Sequence, residues 1–293
     1  MTPTALDVLR CPACGRPFAL DGGRGDGRGD TLSCGCGRVY EVVDEIPHLV
    51  HPTTLLSSDA EFQQKYDVGA ADYDSGLAWL FEAFRVDEDQ VRDSMIDLLE
   101  LRPGARVLET GCGTGKDSVR ILERIGAAGT LYAQDLSIGM LEVARRKLVS
   151  ADGTVEYVLS NASYLPFADD SFDAAFHFGG VNTFGERRRA LGEMARVVRA
   201  GRKVVLGDEG VAPWLRRRRF GRILVKANPL YAHHPPLAEL PDNAAEVRLR
   251  WIIGNAFYVI DYRVAESPPF VDLDLPIPGK GDTLRSRYHG VGR

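Results

Sequence analysis

The sequence predicts an α/β fold with a doubly wound, mostly parallel sheet, preceded by a small cysteine-bearing module. Three observations support this fold class. A short apolar run within residues 106–118 ends in an acid and is followed by closely spaced glycines. Further apolar runs alternate with amphipathic helical segments up to residue 210, which is the pattern of βαβ units. Four of the five cysteines form two close pairs within the first 36 residues.

Length and composition fit an ordinary enzyme. A chain of 293 residues can bury a full core, and we expect one large domain with a small appendage. The formal net charge of -5 argues against a dedicated nucleic-acid binder. No apolar run approaches the roughly 18 residues of a membrane span, and the N-terminus lacks the features of a signal peptide. We therefore expect a cytoplasmic protein without a membrane partner.

The cysteines of the first module have the spacing of a metal site. Cys11 and Cys14 form a C-x2-C pair, and Cys34 and Cys36 form a C-x-C pair. Zinc prefers four such ligands in a tetrahedron, and two disulfides are uncommon in the cytoplasm. We predict a structural zinc ion, because four thiolates leave no open position for water. The glycine-rich stretch 21–30 is expected to be a flexible loop between the pairs.

Residues 10–50 as a whole resemble the Trm112-like zinc ribbon that is fused ahead of some bacterial methyltransferases. Val39, Glu41 and Val43 alternate as in a strand. A connector, residues 53–101, follows with twelve acids against three basic residues, a segment charge of -9. We interpret it as a solvated helical surface that disfavours RNA. Its end, with Val91 and Met95 on one face, should be an amphipathic helix on the core.

The glycine-rich loop is the central motif. An acid and three alternating glycines compose it: Glu109, Gly111, Gly113 and Gly115. Such glycines allow a tight turn and a close approach of the backbone to a ligand at a helix N-terminus. A phosphate-binding P-loop is excluded, because its glycines need one more residue between them and Lys116 is followed by an acid. A dinucleotide fingerprint is a weak match, and a ligand-free turn is the simplest alternative.

The pattern acid-x-Gly-x-Gly-x-Gly resembles motif I of class I S-adenosylmethionine (SAM) methyltransferases. The resemblance implies a Rossmann-like, mostly parallel seven-stranded sheet that ends in an antiparallel hairpin. Asp135 lies 22 residues after Gly113, where an acid at a strand tip can accept hydrogen bonds from both ribose hydroxyls. A helix cap is the alternative for this residue.

Further segments extend the resemblance. Residues 65–76 are similar to the Tyr-Asp repeat of ubiquinone-type methyltransferases, in which a tyrosine reaches the methionine carboxylate, although packing also explains Tyr73. Asn161 stands where these enzymes carry an acid that accepts from the adenine amino group, and its amide oxygen can still accept. The resemblance implies the following SAM-binding residues: Tyr73, Glu109, Thr110, Gly111, Cys112, Gly113, Gly115, Asp135, Leu136, Ser137, Met140, Asn161, Ala162 and Phe178.

The fourth strand, Phe172–Phe178, should emerge where cofactor and substrate meet. Residues 177–182 read HFGGVN and lack the Asn/Asp-Pro-Pro-aromatic motif of amino-methyltransferases that act on nucleic-acid bases, which disfavours that reaction. A helix over 186–199 and a fifth strand over 203–206 follow. Acids at the carboxyl edge of a strand line the crevice of such sheets. The substrate candidates are Gly179, Asn182, Asp208, Glu209 and Trp214.

Residues 211–245, here called the lid segment, are expected to form an irregular cover over the site. The sequence leaves four roles open for their basic residues. These residues could hold an anionic substrate, bind RNA backbone, remain solvated, or pair with the acidic connector. His233 and His234, with His177, are the candidate catalytic residues, because neutral imidazole can accept a proton. Histidines in such a loop can equally be inert.

The sheet is expected to close with a hairpin over 247–264 that turns at Gly254 and Asn255. The tail, 265–293, would cover the surface or contribute to a homodimer. The predicted divisions of the chain are a zinc ribbon (1–52), a helical connector (53–102), a SAM-binding core (103–210), the lid segment (211–245) and the hairpin with the tail (246–293).

The resemblance implies a SAM-dependent methyltransferase that acts on a hydroxyl, amine or carbon of a small molecule, with a role in secondary metabolism. Positioning of the nucleophile would account for most of the catalysis. The first alternative is a ribosomal RNA (guanine) methyltransferase of the RlmA type, which also carries a ribbon. The second alternative is a non-catalytic, zinc-bearing partner with a vestigial cofactor fold.

Overall fold

The computed structural model describes residues 2–21 and 30–290. The chain begins with a small module that contains helix α1 (Pro3–Val8) and strands β1 (Phe18–Asp21), β2 (Thr31–Cys34), β3 (Val39–Val43) and β4 (Ile46–Pro47). These strands form an antiparallel sheet in chain order. We call this part the N-terminal module. The loop expected between the cysteine pairs falls largely on residues 22–29, outside the described residues.

The acidic connector forms three helices, α2 (Ser57–Gly69), α3 (Tyr73–Phe84) and α4 (Glu88–Ile96), and a short 3-10 turn, Asp97–Leu99. Asp87 caps α4 by accepting a hydrogen bond from the Gln90 amide at 3.0 Å. Met95 and Ile96 are buried against the core, as the amphipathic spacing predicts. Apart from the buried Asp59, the acids of this segment are exposed or half-buried, so that water and nearby basic groups stabilise their charge.

The core is a seven-stranded sheet of β5 (Arg106–Thr110), β6 (Thr130–Asp135), β7 (Thr154–Leu159), β8 (Phe172–Phe178), β9 (Val198–Glu209), β10 (Ala244–Ile252) and β11 (Phe257–Val264). The strand order is β10-β11-β9-β8-β5-β6-β7. Strands β5 to β9 run parallel, and β10 and β11 are antiparallel. This confirms the predicted fold class.

Helices α5 (Lys116–Ile125), α6 (Ile138–Leu148) and α7 (Arg187–Val197) cover the sheet, and α8 (Arg219–Ala227) and α9 (Leu284–Gly290) lie further along the chain. The chain builds outward from β5 through β6 to β7 and then returns to place β8 on the other side of β5. Doubly wound sheets open a crevice at such a switch point, beyond the carboxyl ends of the strands. The candidate site lies there.

The N-terminal module packs directly on the sheet. The Leu49 amide donates to the Leu159 carbonyl at 2.8 Å, which adds an extended segment beside the edge strand β7. The Ala168 amide likewise donates to the Val8 carbonyl at 2.9 Å. Leu9 is buried in the main hydrophobic cluster. The module and the sheet therefore share one core.

Two elements differ from the sequence-based expectations. The lid segment, expected to be irregular, contains α8 and two 3-10 turns, Pro229–Ala232 and Leu237–Glu239, because the apolar face of α8 packs on the core. Strand β9 begins five residues before the predicted start at 203, because Val198 already pairs with Phe172. Among the described helices, none combines the length and apolar character needed to cross a bilayer.

Candidate functional site

A cavity opens at the carboxyl ends of β5, β6 and β8. The glycine-rich loop, residues 111–114, and the ends of the three strands form its base and walls. Residues of α2 and α3 form its roof, and Leu230 of the lid segment contributes one edge. The sequence motifs and the helical connector thus meet in one place.

The glycine-rich loop adopts backbone angles that only glycine accepts readily. Gly113 has φ +53°, and the space where a side chain would start is open. Gly111 has φ +58°, and a Cβ there would lie 3.1 Å from the ring of His177. The loop can therefore approach a ligand with its backbone alone.

Asp135 ends β6 and holds this loop in place. Its Oδ2 accepts from the Gly113 amide at 2.8 Å, and its Oδ1 accepts from the Ser137 amide at 2.9 Å. Burial raises the pKa of Asp135 to about 6, although both amides favour the charged form. Leu136, Ser137 and Met140 line the same wall of the cavity. The carboxylate retains lone pairs that two ligand hydroxyls can use.

Glu109 is the next-to-last residue of β5, beneath the loop, and does not line the cavity, in contrast to Asp135. It is 2% exposed and accepts a hydrogen bond from the Ser118 hydroxyl at 2.5 Å. Burial, and after it the charge of Asp117, raises its pKa well above the usual value. Thr110 is also buried, with its hydroxyl 3.3 Å from the Phe176 carbonyl. Both residues support the loop from below.

Asn161 lines the cavity, and a second acceptor lies beside it. Its amide oxygen accepts from the Ser163 amide at 2.9 Å and caps a 3-10 turn, which leaves one lone pair on this oxygen. Its Nδ2 lies 3.4 Å from Oδ2 of Asp59. Asp59 belongs to α2, is 7% exposed and lines the cavity. A carboxylate is therefore present beside Asn161, supplied by another element.

The roof of the cavity is aromatic. Tyr66 of α2 and Tyr73 of α3 stack edge to face with centroids 6.0 Å apart. Burial raises the pKa of both hydroxyls, so both are neutral at physiological pH. Phe178 and Phe257 face them from β8 and β11, with centroids 5.9 Å apart. An apolar, planar molecule fits such surroundings.

His177 lies on β8 between Gly111 and Gly180 and lines the cavity. Its Nδ1 is 2.7 Å from the Thr110 carbonyl, which can only accept, so Nδ1 carries the proton. Its Nε2 is buried and has no hydrogen-bond partner among the described residues. Burial lowers the pKa of the imidazole to about 4. The ring is therefore neutral, with an unused lone pair.

Asp208 fixes the turn after β8. It is 1% exposed and accepts from the Gly180 and Asn182 amides at 3.1 and 2.6 Å. Burial raises its pKa well above the usual value. Asn182 lies behind the turn, where its side chain binds the Glu209 carbonyl at 2.8 Å. Gly179, Asp208 and Glu209 reach the cavity wall.

Four residues predicted for catalysis or substrate binding are not among the residues that line the cavity: Asn182, Trp214, His233 and His234. Arg216 holds His233 and His234, donating to the His233 carbonyl and lying 2.6 Å from Nε2 of His234. Trp214 is 60% exposed and packs against Trp251. This placement differs from the expectation that both histidines lie near the pocket, and Leu230 of the lid segment lines the cavity instead.

The sequence analysis also missed cavity residues. Arg92 of α4 is 3% exposed, forms a 2.7 Å ion pair with Asp117 and lines the cavity. Asp59, Gln63 and Tyr66 come from α2, and the Gln63 amide donates to the Leu136 carbonyl at 3.0 Å. Tyr66 falls within the Tyr-Asp repeat of residues 65–76, from which the sequence analysis selected only Tyr73. No motif marks Asp59, Gln63 or Arg92, whose only signal in the sequence is the acidic, helical character of the connector.

The four cysteines of the N-terminal module converge on one point. Their sulfur atoms all lie within 4.8 Å of one another, and Cys11–Cys36 and Cys14–Cys34 are 3.8 and 3.5 Å apart. Zn–S bonds of about 2.3 Å in a tetrahedron place sulfur atoms about 3.8 Å apart. The cysteines form no disulfides. This donor set fits a tetrahedral metal ion.

Comparison with known proteins identifies the core. Residues 107–201, which contain the glycine-rich loop, Asp135 and β8, match the sequence profile of a methyltransferase domain. The chain carries a methyltransferase domain. It is 38% identical over 125 residues to a demethylmenaquinone methyltransferase of Clavibacter sepedonicus, which covers 42% of this chain and 49% of that protein. With the observed fold, these similarities show a SAM-dependent methyltransferase core.

Two further similarities cover more of the molecule. The ubiquinone/menaquinone biosynthesis C-methyltransferase UbiE of Stenotrophomonas maltophilia is 29% identical over 208 residues, 59% of this chain and 82% of that protein. A chain from the complex that contains the Haloferax volcanii Trm112 methyltransferase activator has a similar fold, with TM-score 0.52, 14% identity, and coverage of 69% of this chain and 98% of that chain. The chain spans about half the length of several of its named relatives.

Proposed function

We propose that this protein transfers the methyl group of SAM to a small apolar acceptor. The observation that carries the proposal is the position of Asp135. This buried carboxylate accepts from the Gly113 amide of the glycine-rich loop and lines an aromatic cavity at the switch point of the sheet. In this proposal Asp135 accepts from the ribose hydroxyls, and the loop amides hold the methionine end, with Glu109 and Thr110 supporting the loop from below.

Asp59 takes the role that the resemblance gives to Asn161. Its Oδ1 accepts from the Gly185 amide at 2.8 Å and its Oδ2 faces Asn161, so the carboxylate is fixed at the cavity wall. A fixed carboxylate oxygen beside Ala162 and Leu136 is suited to accept from an exocyclic amino group. We therefore assign the adenine amino contact to Asp59 and a supporting role to Asn161.

The acceptor is proposed to bind between the aromatic roof and the end of β8. The methyl group of SAM is already activated, so holding the nucleophile in line with it supplies most of the rate enhancement. An acceptor hydroxyl, amine or ring carbon must lose a proton during or after transfer. His177 is the proposed proton acceptor, because it is neutral and has a free lone pair. Gly180 covers Nε2, so the turn at Gly179 and Gly180 must move to admit the acceptor.

An aromatic acceptor is favoured by the character of the cavity and by the names of the relatives, several of which are quinone C-methyltransferases. A place in secondary metabolism remains part of the proposal. We also propose that Cys11, Cys14, Cys34 and Cys36 bind one structural zinc ion, because their spacing fits the metal and four sulfurs complete its coordination.

Incubation with SAM labelled in the methyl group and a cell extract, separated into RNA and metabolite fractions, tests the proposal. We expect label in the metabolite fraction and none after Asp135→Ala, whereas the exposed control Asp242→Ala retains transfer. Label in RNA, with binding that weakens steeply with salt, would support the ribosomal RNA alternative. No SAM binding by calorimetry would leave only the non-catalytic alternative.

A further inference from the structure

The lid segment presents a basic surface whose charges are not neutralised. Residues 211–227 contain six cations and no acid, although the whole chain has a net charge of -5. Arg216 is used inside the lid segment, where its Nε donates to the Val211 carbonyl at 2.9 Å. The side chains of the other five have no ion pair or hydrogen bond within residues 2–21 and 30–290. These five, here called the basic face, are Arg217, Arg218, Arg219, Arg222 and Lys226.

The acidic connector does not neutralise the basic face, because none of its acids forms an ion pair with those five cations within the described residues. Glu88 lies 2.8 Å from Lys116, and Asp93 lies 2.9 Å from Arg124. These pairs link the connector to α5, and Asp74 and Glu100 pair with Lys147 of α6 and Arg263 of β11. One of the alternatives that the sequence left open, pairing with the connector, is removed.

Apolar side chains are exposed among these cations. In helix α8 Ile223 follows Arg219 by four residues and precedes Lys226 by three, so these two cations flank it on one face, and Ile223 is 57% exposed. Trp214, in the turn before α8, is 60% exposed. Cations interleaved with exposed aliphatic and aromatic groups are typical of helices that lie at a membrane surface.

The opposite side of α8 is fixed to the protein. Leu224 and Val225 pack in the hydrophobic cluster of Tyr231 and Phe257, and Phe257 also lines the cavity. The helix therefore has an anchored inner face and an unpartnered outer face. Helix α8 ends two residues before the 3-10 turn Pro229–Ala232 begins. This turn carries Leu230, which lies at the edge of the cavity.

We propose that the lid segment docks on an anionic lipid bilayer. Arg222 and Lys226 border a surface depression, also lined by Arg216, and these two free cations are suited to a headgroup phosphate. Ile223 and Trp214 enter the interfacial region beside it. Such peripheral contact needs no spanning helix, and it revises the expectation of no membrane partner. Delivery of a lipid-soluble acceptor to the cavity is a further consequence that rests on the proposed function; the docking itself does not.

Co-sedimentation of the full chain with vesicles, without SAM, tests the docking. We expect binding to vesicles of phosphatidylcholine with phosphatidylglycerol, weaker binding at high salt, and little binding to phosphatidylcholine alone. The double variant Arg222→Ser/Lys226→Ser should weaken vesicle binding roughly fivefold per cation, about 25-fold in total. The control Arg102→Ser/Arg146→Ser removes the same charge from exposed positions elsewhere and should bind like the original chain.

The apolar contribution has its own matched pair. Ile223→Ser should reduce vesicle binding severalfold, whereas Val149→Ser, at a position that is 84% exposed, should not. All four variants lie outside the cavity wall and should bind SAM normally, so failure of the proposed function would appear separately as loss of SAM binding. The docking proposal is overturned by absence of vesicle binding, by equal losses in the controls, by binding of inorganic phosphate alone, or by preference of the same face for RNA.

Discussion

Asp135 and Glu109 lie at the ends of neighbouring parallel strands, yet their surroundings give them different roles. Asp135 accepts from two backbone amides and faces the cavity, so its charge is available to a ligand. Glu109 has a hydroxyl donor and a nearby acid, and burial raises its pKa. A motif places both acids at strand ends. Only the folded environment decides which of them meets the cofactor.

Replacing Asp135 with Asn should weaken SAM binding on the order of 100-fold, because it removes a charge-assisted acceptor of two hydroxyls. The NH2 group of the introduced side chain would also face the backbone amide of Gly113 or Ser137. Both groups are donors, so the loop loses one hydrogen bond. Titration calorimetry measures the affinity, with the exposed substitution Asp242→Asn as the control. An affinity within a few-fold of the original value would remove Asp135 from the proposed cofactor site.

His177 should make stability depend on pH. Its folded pKa of about 4 lies below the ordinary 6.5, so on acidification the unfolded chain takes up this proton first. Its contribution to the free energy of unfolding is therefore intact above about pH 6.5 and is lost by about 3 kcal/mol as the pH falls to about 4. Denaturant unfolding of the original chain and of His177→Gln across this range measures the difference.

The control for this experiment is His234→Gln on the exposed lid segment. The two chains, original and His177→Gln, should differ progressively less in stability as the pH falls. If the difference stays constant from pH 7 to 4, the imidazole is not held neutral by burial, and its proposed role as a proton acceptor loses its basis.

At the scale of elements, most of α2 precedes the Tyr-Asp repeat and carries no recognisable motif. The helix supplies Asp59, Gln63 and Tyr66 to the cavity and rests on the start of α6. A Cβ on Gly139 would lie 2.9 Å from the Asp67 carbonyl oxygen, which is closer than real contacts allow. Close packing of α2 on α6 at this glycine therefore sets the distance between Asp135 and the α2 residues that cover the cavity.

Gly139→Ala should separate α2 from α6 and weaken SAM binding severalfold. Within a helix this substitution alone would stabilise by roughly 0.5–1 kcal/mol, but overpacking against backbone costs about 1–3 kcal/mol, so net destabilisation is expected. Thermal unfolding and calorimetry give the two quantities. Gly192→Ala in α7 is the control, because no atom lies within 4 Å of its added Cβ, and it should stabilise without changing affinity.

The elements that sequence patterns predicted best are those whose pattern is local. Strand β8 has the predicted bounds, and the turn at Gly254 and Asn255 joins the predicted hairpin. The roof could not be predicted in this way, because Asp59 meets Asn161 across 102 residues of chain and neither residue alone signals the pairing. Helix α8 was missed because prolines and arginines around it conceal a short apolar face.

At the scale of the whole molecule, the N-terminal module shares the hydrophobic core of the sheet and is not a separately packed domain. The sequence predicted the cysteine cluster from spacing, but nothing in the cysteine pattern shows where the module docks. In the structure Leu9, Leu32 and Leu49 are buried in the main cluster, and the Leu49 segment extends the sheet beyond β7. The metal proposed for the module should therefore affect the stability of the entire fold.

Removal of zinc should lower the unfolding temperature of the whole chain in one cooperative transition. Without metal, no ion joins the four cysteines, and the turns at Cys11 and Cys34 lose their constraint. The edge strand β7 then loses its pairing with the Leu49 segment. Calorimetric scans before and after chelation measure the shift, and Cys14→Ser should reproduce it, whereas Cys112→Ser, inside the glycine-rich loop, should not abolish metal binding. A core transition that stays unchanged when zinc leaves would show that the module folds independently, and the shared core would then contribute little to the stability of the site.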